Sequence, residues 1–424
     1  MLKSHKKTIL EVLGRKPIHP FPARMAPGIA LDALGEAKGS LRVLDPMAGS
    51  GTVLAVARAN GHHAYGFDVD PLAVLLTRVW TRTVDAERVN DKAAEVLDRA
   101  KVTFARVTLA RAYPKEADEE TRKFIRYWFD DYARRQLAAL STAISGVRDQ
   151  SSRDVLWCGF SRLIITKKAG ASLAMDLSHS RPHKVFTRAP VKPFRHFTAA
   201  VETVVANCPH PDEGRVGPPA VARQGDARQL PLCNASIDMV VTSPPYLNAI
   251  DYIRCSKFSL VWMGYNLGEL RRIRKGSVGT EGLMERTRNI EGVQSIIKEH
   301  RIAPGLSDHN HSLLSQYVQD MNRAVAEVSR VLRPGGRAVY VVGDSTVSGT
   351  FVRNSAIIAA VAEDHGLTLA SQQSRSLPWD HRYLPPPQRA HPGVGMNGRM
   401  RREVVMVFDK GTMDMGRVSA STTY

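Results

Sequence analysis

Along this chain, short apolar runs end on acidic or turn-forming residues and alternate with stretches of helical spacing. Leu41 to Leu44 is one such run, closed by Asp45-Pro46. Bounded in this way, it predicts a short buried strand. Gly49-Ser50-Gly51 follows as a tight loop. Thr52 to Asn60 then carries apolar residues at helical spacing, with Gly61 where a helix-ending glycine belongs. Ala64 to Phe67 predicts a second strand ending at Asp68, and Pro71 opens another helical run. Strand, loop, helix, strand, helix is the opening of a doubly wound α/β sheet.

The pattern resumes late. A third strand is expected to end at Gly225-Asp226, and a fourth covers Ile237 to Thr242. A helix with apolar Met321, Val325, Val328 and Leu332 should stop at the turn Arg333-Pro334-Gly335-Gly336, with RAVYVVGDS following as a strand. LTLASQQSRSLPW and REVVMVFDK read as a strand pair separated by a polar, Pro- and Gly-rich loop. Two stretches interrupt the alternation. Residues 88–220 separate the second and third strands, far more than such connections usually need. This insertion begins helical, with Phe124, Ile125, Trp128, Leu137, Leu140 and Ile144 in register, and then turns basic and Pro-rich. Residues 247–315 form the second insertion.

Composition narrows the class. A chain of 424 residues with 43% hydrophobic content suits one large domain with insertions or two domains. No apolar run reaches about 18 residues, so no membrane span is expected. MLKSHKKTILEVLGRK lacks the apolar block of a secretory leader, and a cytoplasmic location is expected. Cys158, Cys208, Cys233 and Cys255 are widely spaced and form no CxxC pair, so reduced structural thiols are expected. His300, His309 and His311 are irregularly spaced, and no metal is expected. The net charge of +18, from 59 Lys+Arg against 41 Asp+Glu, points to a polyanionic partner, most commonly nucleic acid.

The glycine loop limits the ligand. The third glycine of a dinucleotide fingerprint would fall on Leu54, and no Lys-Ser/Thr pair follows. Small residues still let a ligand approach the backbone closely, and Asp68 is placed to accept from ribose hydroxyls. A nucleoside without an essential pyrophosphate fits, S-adenosylmethionine above all, and Asp226 is placed to accept from its adenine amino group. Taken singly, Asp45 and Asp68 are equally a strand-end turn and a helix cap; their order and placement at strand ends give them weight.

DPMAGSGT, GFDVDP, GDAR and TSPPY, in that order, resemble the motifs of the amino-group DNA methyltransferases, which methylate N4 of cytosine or N6 of adenine. IHPFPARMAPGIALDAL resembles the family segment that encloses the methionine part of the cofactor. The resemblance implies a class I (Rossmann-like) methyltransferase fold: a doubly wound, mostly parallel sheet with a C-terminal antiparallel strand pair and two insertions. It implies S-adenosyl-L-methionine bound by Phe21, Pro22, Asp45, Pro46, Ala48, Gly49, Ser50, Gly51, Thr52, Asp68, Asp226 and Ala227. It also gives Ser243 and the Pro244 carbonyl the role of acceptors that localise the lone pair of a sluggish exocyclic amine. Proline fixes φ and lacks an N–H, so Pro244-Pro245 holds such a carbonyl stiffly. Tyr246 would stack on a base flipped out of the duplex. Ser243 stands where adenine-N6 enzymes typically carry Asp or Asn, so cytosine-N4 is preferred and adenine-N6 is the alternative. A restriction-modification setting, with a cognate restriction endonuclease, is the implied context. Two rival readings are a transfer-RNA guanine-N2 methyltransferase and a catalytically silent nucleic-acid-binding module.

On this reading residues 18–87 form the cofactor-binding half, 88–220 the candidate target-recognition insertion, and 221–246 the catalytic strands. Residues 247–315 are the second insertion and 316–410 the remainder of the methyltransferase domain. Candidate DNA contacts are Arg181, Lys184, Arg188, Lys192 and Arg195, interleaved with Phe186, Phe194 and Phe197. Arg271, Arg272, Arg274 and Lys275 form a second group; Arg375, Arg382, Arg389, Arg399, Arg401 and Arg402 of the C-terminal loop form a third. Each group reads equally well as solvated surface. Asn248 and Asp251 are placed to touch the base or a phosphate, with a plain helix face as the equal reading.

Overall fold

A computed structural model describes residues 4, 6–22, 25–35, 39–178, 182–210, 217–247, 251–279, 290–299, 302, 308–347, 350–376 and 402–412. Helices α1 (Ile9–Leu13) and α2 (Pro27–Leu34) lead into β1 (Arg42–Asp45), α3 (Thr52–Ala59), β2 (His63–Asp68) and α4 (Pro71–Trp80). A run of helices follows: α5 (Ala86–Phe104), α6 (Glu119–Trp128), α7 (Asp131–Ser145), α8 (Gln150–Ile164) and α9 (Pro193–Val205). Next come β3 (Val221–Gln224), β4 (Ile237–Thr242), α10 (Tyr252–Leu260), α11 (Leu267–Gly276), α12 (Ile290–Glu299) and α13 (Asp308–Val331). The described chain closes with β5 (Leu332–Gly343), the hairpin β6 (Ser345–Val347) and β7 (Thr350–Val352), α14 (Asn354–Asp364), β8 (Leu367–Ser376) and β9 (Arg402–Lys410).

Among the described residues, one sheet has the order β3-β2-β1-β4-β5-β9-β8. Pairings among β1 to β5 are parallel, and β9 runs antiparallel between β5 and β8. That order and the single reversed strand define the class I methyltransferase fold. The order reverses between β1 and β4, and the crevice beyond their C-terminal ends is where open α/β sheets take ligands. The central strands are apolar on both faces because both are covered. Leu44, Val240 and Tyr340 enter one core cluster with α13 and α14, while Val43, Val241 and Val339 enter another with α2 and α3.

Two local expectations are corrected. Arg333-Pro334-Gly335-Gly336 does not stand free as a turn. It is drawn into β5 as an irregularity, the register against β4 stepping from Ile237↔Leu332 to Met239↔Arg337, with Gly335 at φ 72°. Phe197 is not free to wedge or stack on a nucleic acid. Pro193 opens α9, and Phe197 turns inward beside Val201, fully buried, while Phe194 packs edge-on to Phe104 at 5.4 Å.

The long insertion shares its core with the sheet-flanking helices. One contiguous cluster joins Leu72 and Trp80 of α4, Val96, Leu140, Phe160 and Val201 of the insertion, and Phe258 of α10. The helices after β2 are thereby packed against the helix that follows the Ser-Pro-Pro-Tyr corner. Among the described residues the cysteines are free, with Cys233 exposed and the other three buried. No described helix is long and apolar enough to cross a membrane. The described residues hold no group of three or more His, Cys, Asp or Glu fit for a metal ion; His300 lies outside them.

The α8–α9 contact depends on Gly159. An added Cβ would stand 2.6 Å from Val201 Cγ2 and 3.1 Å from its Cα. Gly159→Ala should cost about 1–3 kcal/mol, read as a lower urea midpoint at unchanged m.

Candidate functional site

Leu44 pairs with Val240 across the parallel β1–β4 ladder. One residue beyond β1's apolar run, Asp45 accepts a hydrogen bond from the Thr242 hydroxyl at 2.8 Å, and the Met47 N–H donates to the same oxygen at 3.1 Å. Both side chains are buried. The glycine loop therefore leaves one partner of this bond, and the Ser-Pro-Pro-Tyr corner leaves the other.

The glycine loop is shaped by its neighbours. Gly49 and Gly51 have φ of 50° and 82°. A Cβ on Gly51 would lie 2.7 Å from Thr77 Oγ1, and that hydroxyl donates to the Gly49 carbonyl at 3.2 Å. Gly49 N–H donates to Asp68 Oδ2 at 2.8 Å, while Asp70 N–H donates to Oδ1 at 2.9 Å. Among the described residues, a Cβ on Gly49 would meet only the Phe21 ring, at 4.0 Å. Phe21 in turn lies parallel to Tyr252 of α10, centroids 5.8 Å apart. Leu54, where a dinucleotide fingerprint has its third glycine, fills the space over Gly66, whose added Cβ would lie 2.7 Å from it. The close helix–strand approach is thus met by a glycine on β2. Pro22, Pro46, Ala48, Ser50 and Thr52 are buried around the loop.

The electrostatics are lopsided. Burial pushes Asp45 up to about 7 against its bonds from Thr242 and Met47, and the Asp68 charge adds to the rise. Burial and then the Asp68 charge likewise bring Asp70 to about 7, and burial raises Asp68 itself. Among the described residues no Lys or Arg pairs with any of the three. A glycine loop beside uncompensated acids fits a nucleoside that carries positive charge.

Asp226 differs. Burial raises it, but Arg228 outweighs this and leaves it lowered: Nε and Nη2 donate to it at 2.9 and 2.6 Å, and Nη1 reaches Asp320 at 2.6 Å. The acceptor offered to an adenine amino group is thus already engaged by a guanidinium. Ala227 beside it is buried.

At the corner, Pro244 is buried while Ser243, Pro245 and Tyr246 are half-buried. Ser243 Oγ lies 3.5 Å from the Tyr246 hydroxyl, which donates to Glu403 Oε1 at 3.4 Å. Burial first, then the Glu403 charge, keeps this phenol protonated far above its usual range. Glu403 is held by Arg375, whose Nε and Nη2 donate to Oε2 at 2.9 and 2.6 Å. Neither was a candidate for this site. Arg375 was expected in a DNA-facing loop, but it lies on β8 in a part-buried ion pair. The available signal was a lone Glu heading the apolar REVVMVFDK strand.

The remaining candidates scatter. Asp251 caps α10 through Arg254 N–H at 3.1 Å and pairs with Arg274 at 2.8 Å, the plainer of its two readings. Lys184 sits 4.2 Å over the Tyr127 ring. Arg271 pairs with Glu120 on α6, and Arg272 is exposed. Asn248, Arg181, Arg382, Arg389, Arg399 and Arg401 lie outside the described residues.

Thr242→Val removes a donor from a buried carboxylate and should cost about 1–3 kcal/mol in chemical denaturation. The pH dependence has a definite sign. A carboxyl raised on folding holds a proton that the unfolded chain has lost, so its contribution to stability fades as pH rises from about 4 toward about 7. Asp45→Asn should flatten that part of the stability–pH curve; a slope equal to wild type would show that Asp45 ionises normally.

No family model matches the chain. Type II methyltransferase M.MvaI of Kocuria varians is 19% identical over 369 residues, covering 82% of this chain and 81% of that protein. Among solved structures, an S-adenosylmethionine-dependent methyltransferase from Methanosarcina mazei covers 89% of this chain and 96% of its own at 8% identity and a TM-score of 0.33. A Thermus thermophilus chain assigned as a DNA modification methylase, complexed with S-adenosyl-L-methionine, matches 44% of this chain and 51% of its own at 19% identity and a TM-score of 0.22. Over most of its length the chain is thus similar to a type II methyltransferase, and its strand order is that of the class I methyltransferase fold.

Proposed function

We propose that this enzyme transfers a methyl group to an exocyclic amino group in DNA, N4 of cytosine by preference. The observation that carries the reading is the Thr242–Asp45 bond, which sets the Ser-Pro-Pro-Tyr corner beside the glycine loop. The relative's description as a type II methyltransferase and the net charge of +18 support a DNA substrate.

Bound at the loop, S-adenosylmethionine supplies an electrophilic methyl group on a sulfonium. Asp68 holds the ribose hydroxyls, and Phe21 and Pro22 enclose the methionine part. The loop from Asp45 and Pro46 through Ala48, Gly49, Ser50, Gly51 and Thr52 presents backbone and negative charge. Asp226 and Ala227 flank the adenine. Ser243 Oγ and the Pro244 carbonyl accept the amine's N–H groups; among the described residues no donor engages that carbonyl. Tyr246 stacks on the flipped base. Lys184, Arg271 and Arg272 take phosphates, residues 88–220 contribute target recognition, and the setting is a cytoplasmic restriction-modification system with a cognate endonuclease.

Expression in a host lacking DNA methylation, followed by sequencing that separates N4-methylcytosine from N6-methyladenine, tests this. Motif-restricted N4-methylcytosine is expected; N6-methyladenine would move the target to adenine, and unmodified DNA would favour RNA. Tyr246→Ala should lower kcat/KM by about 5- to 150-fold, the worth of one stacking contact. Arg272→Ala should reduce the slope of log K against log salt by about 1 with duplex DNA.

A further inference from the structure

The Ser-Pro-Pro-Tyr corner is caught from two sides. Tyr317 of α13, wholly buried, donates its hydroxyl to the Pro245 carbonyl at 2.9 Å. Ser345 of β6 donates to the Leu247 carbonyl, also at 2.9 Å. Asn354, buried at the start of α14, donates to Ser345 Oγ at 3.0 Å and to the Gly343 carbonyl at 2.8 Å. The two captured carbonyls bracket Tyr246. Proline rings already fix φ at residues 244 and 245, and a residue before proline is kept out of the helical region. The soft torsions left are ψ of Pro245 and those of Tyr246. The Tyr317 bond fixes the first, and the Ser345 bond closes the far side. Gly279, at φ 74°, packs beneath: a Cβ there would stand 3.5 Å from the Tyr317 ring and 3.6 Å from the Tyr246 carbonyl. Burial raises the Tyr317 hydroxyl well above its usual range, so it remains a donor at any working pH.

We propose that Tyr317, together with the Ser345–Asn354 pair, is a positioning device for methyl transfer, aiming Tyr246 and the neighbouring acceptors without touching base or cofactor. The proposal rests on the reading that this corner receives the target amine. Neither carbonyl bond is needed to form the sheet, and each captures the loop after β4 has ended.

Tyr317→Phe keeps the ring and removes one hydroxyl; Ser345→Ala releases the other side. Both are made in the full chain and assayed with S-adenosylmethionine and unmethylated bacterial genomic DNA. Amide hydrogen exchange at Tyr246 and Leu247 is followed, and cofactor affinity is measured by calorimetry. For Tyr317→Phe, kcat should fall about tenfold while cofactor Kd and KM stay within twofold, with faster exchange at Tyr246. An unchanged kcat, or a loss that only matches the unfolded fraction with exchange at Tyr246 unaltered, would overturn the proposal. If Tyr317→Phe does not fold, Ser345→Ala gives the same reading from the other side. If the wild-type enzyme transfers no methyl to DNA, the substrate reading has failed. Exchange alone then decides: faster at Tyr246 supports the brace, unchanged refutes it.

Discussion

The hydrogen bond from Thr242 to Asp45 joins the ends of the two central strands, and the arrangement of the site follows from it. Parallel neighbours end on the same side of a sheet, so loops leaving β1 and β4 already emerge together. The buried hydroxyl–carboxylate bond adds register to that proximity. With both groups out of water, breaking it would leave the Met47 N–H as the donor to a buried carboxyl, a larger cost than the bond's own net worth. Gly49, Asp68, Phe21 and the Ser-Pro-Pro-Tyr corner are then held within one crevice.

The crevice is held short of charge balance. Burial raises Asp45, Asp68 and Asp70, and the Asp68 charge raises the other two further. A structural site would be expected to neutralise such a group, as Arg228 does for Asp226 and Asp320. Leaving it uncompensated costs stability in the empty protein and returns it when a cationic ligand arrives. Strand ends around a ligand crevice are where such stored tension is expected.

The insertion after β2 contributes through packing rather than as a separate body. Its helices share one apolar cluster with α4 and α10, and α10 begins a few residues after Tyr246. Phe21 and Tyr252 link that cluster to the rim of the glycine loop. Any movement of the insertion relative to the sheet would therefore reach both loops of the site.

Much of this was legible in the chain, and the division has a physical cause. Strand ends at Asp45, Asp68 and Thr242, the loop from Gly49 to Gly51, and the helix-ending Gly61 follow from periodicity and turn chemistry over a few residues. Such signals need no partner. The Arg333–Gly336 segment is turn-prone, yet it sits inside β5 as an irregularity that the β4 pairing steps over, from Leu332 to Arg337. Pairing also decided what charge and aromatic patterns could not: Phe197 went to the core, Arg375 to Glu403, and Asp226 to Arg228. Tyr246 meets Glu403 across 157 residues, and Pro245 meets Tyr317 across 72. The sequence by itself determined which short segments leave the sheet and with what chemistry. Only the strand order, with β9 threaded between β5 and β8, decided which distant side chains would brace them, because contacts between remote segments are set by topology and not by any local window of residues.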